Sequence, residues 1–251
     1  MKIKLSVAII TFNEEKNIER CIRSVLPIAD EVVVLDSFSS DKTENICRKL
    51  GVTFYQHKFE GHIQQKNKAL SLTKYDHVLS LDADEALSKK LLSEVIDVKN
   101  NWSYDGYYMP RLTNYCGKWI RHCGWYPDKK LRLFDKNKGQ WTGNNPHDCY
   151  TIESNDTSLL VGDLLHYSFY TEEEHLDQIK KFSTIGAHAL YDKGEKGSIG
   201  KLVLSPIVKF ISNYIIHGGF LDGKEGWKIS KHSAYEKFLK YSKLSDLNRN
   251  I

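Results

Sequence analysis

Four short β-rich runs, each followed by a helical pattern, fill the first hundred residues of this chain of 251. Residues 5–11, 31–35, 52–56 and 77–81 read as strands, and the second, Glu31-Val32-Val33-Val34-Leu35, ends at Asp36. Ile18, Cys21, Ile22 and Val25 repeat at the i, i+3, i+4, i+7 spacing of one helix face, and Pro27 stops that helix. Residues 43–50 form a second helix closed by Gly51, and 63–72 form a third. Ser88 caps a fourth that runs to about residue 100. Apolar strands separated by short helices predict an α/β fold with a mostly parallel sheet covered on both faces. Ligands in such sheets bind beyond the carboxyl ends of the strands. Thr11, Asp36 and the pair Asp82/Asp84 all stand at those ends, so three polar clusters converge on one sheet edge.

The pattern changes after Trp102. Residues 104–150 are rich in aromatics, glycine and turns and read as short strands and loops, and 158–166 reads as one more strand. Thr171-Glu172-Glu173-Glu174 has the spacing of a capping box and opens a helix to about residue 191. A break at 194–200 precedes an apolar segment at 199–216 with scattered basic residues. A final helix is expected at 227–241. The expected organisation is a catalytic domain over 1–192, with a nucleotide-binding half of about 1–100 and an acceptor half of about 101–192. A C-terminal helical region over 193–251 follows.

With 41% hydrophobic residues the chain can bury a substantial core. Its net charge of +4 is too mild to argue for nucleic acid. Residues 193–251, however, hold eleven Lys and Arg against five Asp and Glu, which suits an anionic surface or acceptor, or simply a solvated helix face. The five cysteines contain no CxxC pair, so neither a disulfide scaffold nor a zinc knuckle is indicated. The N-terminus enters a strand at once, without the pattern of a signal peptide. No apolar run of about 18 residues is expected to cross a membrane.

Asp82-Ala83-Asp84 follows the fourth strand. A turn after Leu81 can aim both carboxylates at one Mg²⁺ or Mn²⁺, which takes hard oxygen ligands and keeps room for water and phosphate. The same acids could instead decorate a helix N-terminus. In Asp36-Ser37-Phe38-Ser39-Ser40-Asp41, Asp41 suits a helix cap, while Asp36 could accept hydrogen bonds from a base or ribose. Thr11-Phe12-Asn13-Glu14-Glu15 lacks the glycine-rich fingerprints of dinucleotide and P-loop sites, which disfavours a dehydrogenase or P-loop kinase. Trp119, Trp125, Tyr126 and Trp141 could face a sugar acceptor or fill a core. The segment 201–220 could dock on the catalytic domain or lie at a membrane surface.

The order SVAIITFNEE, VVVLDSFSSDKT, QQKNKAL, LSLDADE resembles the glycosyltransferase family 2 pattern with the GT-A fold. GWYPDKKLRLF, NNPHDCY, LLHYSFY and GGFLDGKEGW are similar to a bacterial subgroup, the WaaE/KdtX-type lipopolysaccharide core glucosyltransferases. The resemblance spans about residues 3–243. It implies that Thr11, Asn13 and Glu14 line the nucleotide pocket and that Asp36 meets uracil or ribose. It also implies that Lys66 and Asn67 help hold the donor, that Asp82 meets the ribose or donor sugar, and that Asp84 meets the metal. Lys66 could equally be an exposed helix lysine. Asp148 is the candidate general base, where many family members carry an acid, often Glu. Asp128 is its rival, and Pro127-Asp128 is also ordinary turn chemistry. His166 would complete the metal site or serve structure. Arg132 could approach the phosphates or pair with a structural acid.

The reading these residues support is a metal-dependent, inverting sugar transferase. By resemblance, the donor is UDP-glucose and the acceptor a bacterial cell-surface glycan or lipid-linked precursor. It would be met in the cytoplasm or peripherally at the inner face of the inner membrane. No nucleic-acid partner is expected. The alternatives are a sugar nucleotidyltransferase, whose Gly-rich, basic loop after the first strand is missing here, and a non-catalytic nucleotide- or carbohydrate-binding domain.

Overall fold

The computed structural model describes residues 2–144 and 147–249. In chain order, β1 is Leu5–Thr11, α1 Ile18–Val25, β2 Glu31–Asp36, α2 Thr43–Lys49, β3 Thr53–Gln56, α3 His62–Ser71 and β4 His77–Asp82. Then come β5 Glu85–Leu87, α4 Lys89–Asn100, β6 Gly106–Tyr115, β7 Lys118–Ile120, β8 Asp128–Asp135, β9 Gly139–Asn144, β10 His147–Ile152, β11 Thr157–Leu159 and β12 Leu164–Phe169. The C-terminal helices are α5 Glu172–Asp192, α6 Ile199–Ile211 and α7 Gly223–Arg249. The chain packs as two compact units, one from 1–111 and 128–167, the other from 112–127 and 168–251.

In the first unit, β3, β2, β1 and β4 are parallel neighbours in that order. The sheet then turns antiparallel: β8 pairs β4, β6 pairs β8, and β5 pairs β12 at the far edge. It is therefore a mixed sheet whose parallel half is the part read from the sequence. Both faces are covered, as continuous apolar strands require. Val7, Ile9, Val34 and Leu79 pack with Ile18, Ile22 and Val25 of α1. On the opposite face Ala8, Leu35 and Val78 pack with Ala69 and Leu70 of α3 and with Phe134, Trp141 and Tyr150. Pattern and burial coincide on α1, where Ile18, Cys21, Ile22 and Val25 are all buried. On α4 the Ser88 hydroxyl accepts from the Leu91 N–H at 3.2 Å, the expected cap.

The strand expected over 158–166 is two strands. The Glu94 carboxylate accepts the N–H groups of Val161 and Gly162, both at 2.9 Å, and so satisfies backbone that a continuous strand would have paired. Gly162 lies against α4, where an added Cβ would sit 2.3 Å from the Leu91 nitrogen. A tertiary contact overrides the local strand preference there.

In the second unit β7 pairs with the end of β6. The capping box is formed: the Thr171 hydroxyl accepts from the Glu174 N–H at 3.3 Å, and the Glu174 carboxylate accepts from the Thr171 N–H at 3.3 Å. The second unit holds 112–127 and α5 together with the C-terminal helices: His122 Nδ1 lies 3.0 Å from Asp222, and His232 of α7 pairs with Glu172 of α5 at 2.6 Å. The last helix begins four residues earlier than expected and runs on to Arg249. One expectation is corrected as to length and apolarity. Residues Ile199–Ile216 form an 18-residue helical stretch with mean hydropathy 1.4, long and apolar enough by length and composition to cross a membrane. Lys201 and Lys209 interrupt the apolar run in the sequence without lowering its average far enough. All five cysteines are free, as expected.

Candidate active site

Strand register builds the site. Thr11 pairs with Asp36, and Ile10 with Asp82, so the carboxyl ends of β1, β2 and β4 form one edge. Every residue expected to hold the donor or metal or to act as base lies in the first unit, while Trp119, Trp125 and Tyr126 lie in the second.

At the centre stands Asp82. The buried face of α3 includes Gln65, Lys66, Ala69 and Leu70, so Lys66 points at the sheet and is only 3% exposed. It is not the exposed helix lysine that composition allows. Its Nζ lies 3.0 and 3.3 Å from the two Asp82 oxygens and 2.7 Å from Asp148 Oδ2. It also sits 4.5 Å from the centre of the Trp141 ring. From the other side, Arg132 Nη2 reaches Asp82 at 2.6 Å and Glu85 at 2.8 Å. Burial works against ionisation of Asp82, but the Arg132 and Lys66 charges outweigh it and hold the carboxyl well below the usual carboxylate range. Burial likewise disfavours the Arg132 cation, and Asp82 and Glu85 reverse that and raise its pKa. Arg132 is thus committed to two acids, the structural pairing that the sequence left open beside phosphate contact.

Glu85 was not singled out from the sequence. Its carboxylate is buried, takes Arg132, has Arg111 at 3.6 Å, and accepts the Asp82 N–H at 3.0 Å. A third acid after a DxD looks like surface decoration, and only the β5 pairing turns it inward.

The loops after β1 and β2 are laced together. Asn13, with φ 54°, donates its N–H to the Ser39 hydroxyl at 2.7 Å and accepts from the Ser40 N–H at 2.8 Å. Asp36 is fully buried and accepts from the Ser39 N–H at 2.8 Å and from Gln56 Nε2 at 3.4 Å, so it closes its own loop. Asp41, one residue before the N-cap Lys42 of α2, accepts from the Thr43 N–H at 2.9 Å and from the Glu15 N–H at 3.0 Å. The Thr11 hydroxyl is buried with no hydrogen-bond partner, an orphaned polar atom at the mouth of this edge. Glu14 accepts from Asn17 Nδ2 at 2.7 Å. Burial pushes its pKa up to about 7, against that hydrogen bond and with help from Asp84, Asp41 and Asp82. Phe12 and Phe38 stand more than half exposed beside these acids, aromatic faces that the sequence reading passed over. Phe38 also has φ 61°, an uncommon conformation for a bulky residue.

Asp84 and His166 form the second pole. Asp84 Oδ2 lies 3.1 Å from His166 Nε2, and both side chains are partly exposed. The Tyr167 N–H donates to the Asp84 carbonyl at 2.9 Å and fixes β12 against this turn. Among the described residues no group of three His, Cys, Asp or Glu side chains is placed to hold a metal. The protein therefore offers one carboxylate and one imidazole. That set fits a Mg²⁺ or Mn²⁺ that takes its remaining positions from water and phosphate.

Asp148 lies on β10 opposite Gly143. Asn145 and Pro146, in the NNPHDCY motif before it, lie outside the described residues. Asn67 reaches the adjoining strand, donating to the Trp141 carbonyl and accepting from the Trp141 N–H, both at 3.0 Å. It therefore ties α3 to β9. The rival acid Asp128 is bound at 2.7 Å by Arg111 and 3.0 Å by Lys130, whose charges lower its pKa against burial. Trp141 packs in the core with Phe134 and Tyr150, while Trp125 packs with Tyr115, Phe169 and His175 in the second unit.

A family model described as Glycosyl transferase family 2 matches residues 6–160. The chain is 31% identical over 262 residues to an uncharacterized glycosyltransferase of Rickettsia typhi (strain ATCC VR-144 / Wilmington), covering 99% of this chain and 90% of that one. It is 27% identical over 257 residues to the lipopolysaccharide core biosynthesis glycosyltransferase LpsC of Rhizobium meliloti (strain 1021), covering 97% and 92%. Among solved structures, S. aureus TarS 1-349 in complex with UDP is similar with a TM-score of 0.47 and 16% identity, over 99% of this chain and 92% of that one. With the family model spanning more than half its length, the chain belongs to glycosyltransferase family 2.

Proposed function

We propose that this glycosyltransferase moves a hexose, with glucose the first candidate, from a UDP-sugar to a bacterial cell-surface glycan or lipid-linked acceptor, inverting the anomeric centre. The observation that carries the reading is the Lys66 ammonium, which joins Asp82 at the nucleotide edge to Asp148 on the neighbouring hairpin. The similarity to LpsC, a lipopolysaccharide core biosynthesis glycosyltransferase, supports an acceptor of the lipopolysaccharide core kind.

Asp148 is the proposed base. It would take the acceptor hydroxyl proton as the new C–O bond forms at the anomeric carbon and the bond to the diphosphate breaks, with its electron pair leaving on the diphosphate. A positioned base typically contributes roughly 10²–10⁴-fold. Lys66 orients Asp148 before substrate binds and is within reach of an incoming diphosphate. Asp82, held ionised by Arg132 and Lys66, would accept hydrogen bonds from hydroxyls of the ribose or donor sugar. The orphaned Thr11 hydroxyl and the exposed Phe12 face would take part in holding the base, with Asn13, Glu14 and Asp36 shaping the pocket. Asp84 and His166 would hold a divalent cation, which supplies charge neutralisation for the departing diphosphate.

A panel of UDP-, GDP- and dTDP-sugars with Mn²⁺, read by thermal shift, tests the donor assignment. Selective binding to the folded state raises stability by about 2.7 kcal/mol at a hundredfold excess over Kd. UDP-sugars alone are expected to shift the transition. A selective shift by GDP-sugars would overturn the uridine assignment.

A further inference from the structure

The second unit carries a large apolar surface that catalysis leaves unused. No residue of α6 is buried. Val203, Ile207 and Ile211 repeat every four residues, with Leu204, Val208 and Ile215 beside them, and all six are 42–63% exposed. Single exposed apolar residues are ordinary, but a continuous stripe of this length marks an interaction surface. The stripe continues onto α7. Trp227 lies 5.1 Å from Phe210 and 5.3 Å from Tyr214, ring centre to ring centre. Trp227 is 50% exposed and Tyr235 and Phe238 slightly less, at helical spacing with exposed Lys224 and Lys231.

We propose that this face docks in the plane of an anionic lipid bilayer, with α6 lying in the interface and α7 supplying aromatic and lysine contacts at headgroup depth. Charge selects this occupant. The C-terminal region carries eleven basic against five acidic residues, and exposed Lys224 and Lys231 stand at helical spacing with Trp227, a set that complements anionic headgroups. In a twofold pairing with a second copy, the same set would face itself, and like charges repel. Tyr and Trp prefer the membrane–water boundary, where one side of the ring is apolar and the other wet. A spanning role for Ile199–Ile216 fits less well. Phe210 and Tyr214 pack on α7, and half-buried Lys209 interacts electrostatically with Lys237 and Glu236 of that helix. One side of the segment is therefore already taken by protein. The inference does not rest on the donor or base assignments.

The test is co-sedimentation of the full chain with vesicles of phosphatidylcholine alone or mixed with phosphatidylglycerol, at low and high salt. Binding is expected only to the anionic vesicles and is expected to weaken with salt. V203E/I207E should abolish it. K224A/K231A should lower it roughly thirtyfold, at about 1 kcal/mol per lysine near an anionic surface. All four positions are exposed and outside the candidate active site, so melting temperature and donor hydrolysis serve as unchanged controls. Three results would overturn the proposal. The first is no binding to anionic vesicles. The second is a salt-insensitive, alkali-resistant association typical of a spanning helix. The third is a dimer dissolved by V203E/I207E in a chain that ignores vesicles.

Discussion

Removing Arg132 is expected to unfasten the site from its scaffold before it affects chemistry. One Nη2 holds Asp82 at 2.6 Å and Glu85 at 2.8 Å. Arg132→Met keeps most of the volume and removes the cation that Asp82 and Glu85 share. Breaking a buried ion pair by deleting one partner costs about 3–5 kcal/mol. Asp82 keeps Lys66, and Glu85 keeps Arg111 only at 3.6 Å, so the lower end, about 3 kcal/mol, applies. For a chain of this size that lowers the melting temperature by roughly 6–12 °C. The sign with pH follows from Asp82, whose folded pKa lies below its unfolded value. Its contribution is fully present above about pH 4 and is lost as pH falls toward the folded value. The cost of Arg132→Met should therefore be full near neutral pH and smaller at about pH 3, where Asp82 without Arg132 takes up a proton. Urea midpoints of wild type and variant at both pH values measure it, with Arg132→Lys falling between because a single ammonium reaches one acid at a time. A cost below about 1 kcal/mol at neutral pH, or an equal cost at both, would refute the reasoning.

Glu14 has the opposite sign. Its folded pKa of about 7 exceeds the unfolded value, so its stabilising contribution is present below about pH 4.5 and is lost as pH rises through 7. Glu14→Gln should flatten the fall in melting temperature between those limits, a difference of up to about 3 kcal/mol. Identical pH slopes in the two proteins would contradict this. Gly162→Ala should destabilise by about 1–3 kcal/mol, because its Cβ would meet backbone atoms of Leu91 at 2.3 and 2.5 Å, and an unchanged denaturation midpoint would show that the loop yields freely.

The parallel half of the sheet was legible because its information is local. Continuous apolar runs, one helix face and two capping signals fix β1 to α4 within a few residues. Thr11, Asp36 and Asp82 can be placed at one sheet edge for the same reason: strand ends can be read from where the apolar run stops. What lay beyond reach depends on partners distant in sequence. Family resemblance singles out Lys66, but its pairing with Asp82 and Asp148 appears only once α3 turns that face onto them. Glu85 reads as the third acid of a surface turn until β5 pairs with β12 and Arg132 meets it. The break at Gly162 comes from Glu94, more than sixty residues earlier. The apolar length of 199–216 was missed because Lys201 and Lys209 divide it by eye, although the average over the segment still qualifies.

Asp148 as the base is the assignment on which the proposed transfer turns. UDP release from UDP-hexoses, with and without a panel of glycan and lipid-linked acceptors and with Mn²⁺ titrated, should be compared in wild type and Asp148→Asn. UDP binding and melting temperature of the variant control for loss of the Lys66 pair. The account predicts that acceptor-dependent release falls by roughly 10²–10⁴-fold while UDP still binds. Release within a few-fold of wild type, in a variant that folds and binds UDP, would contradict it.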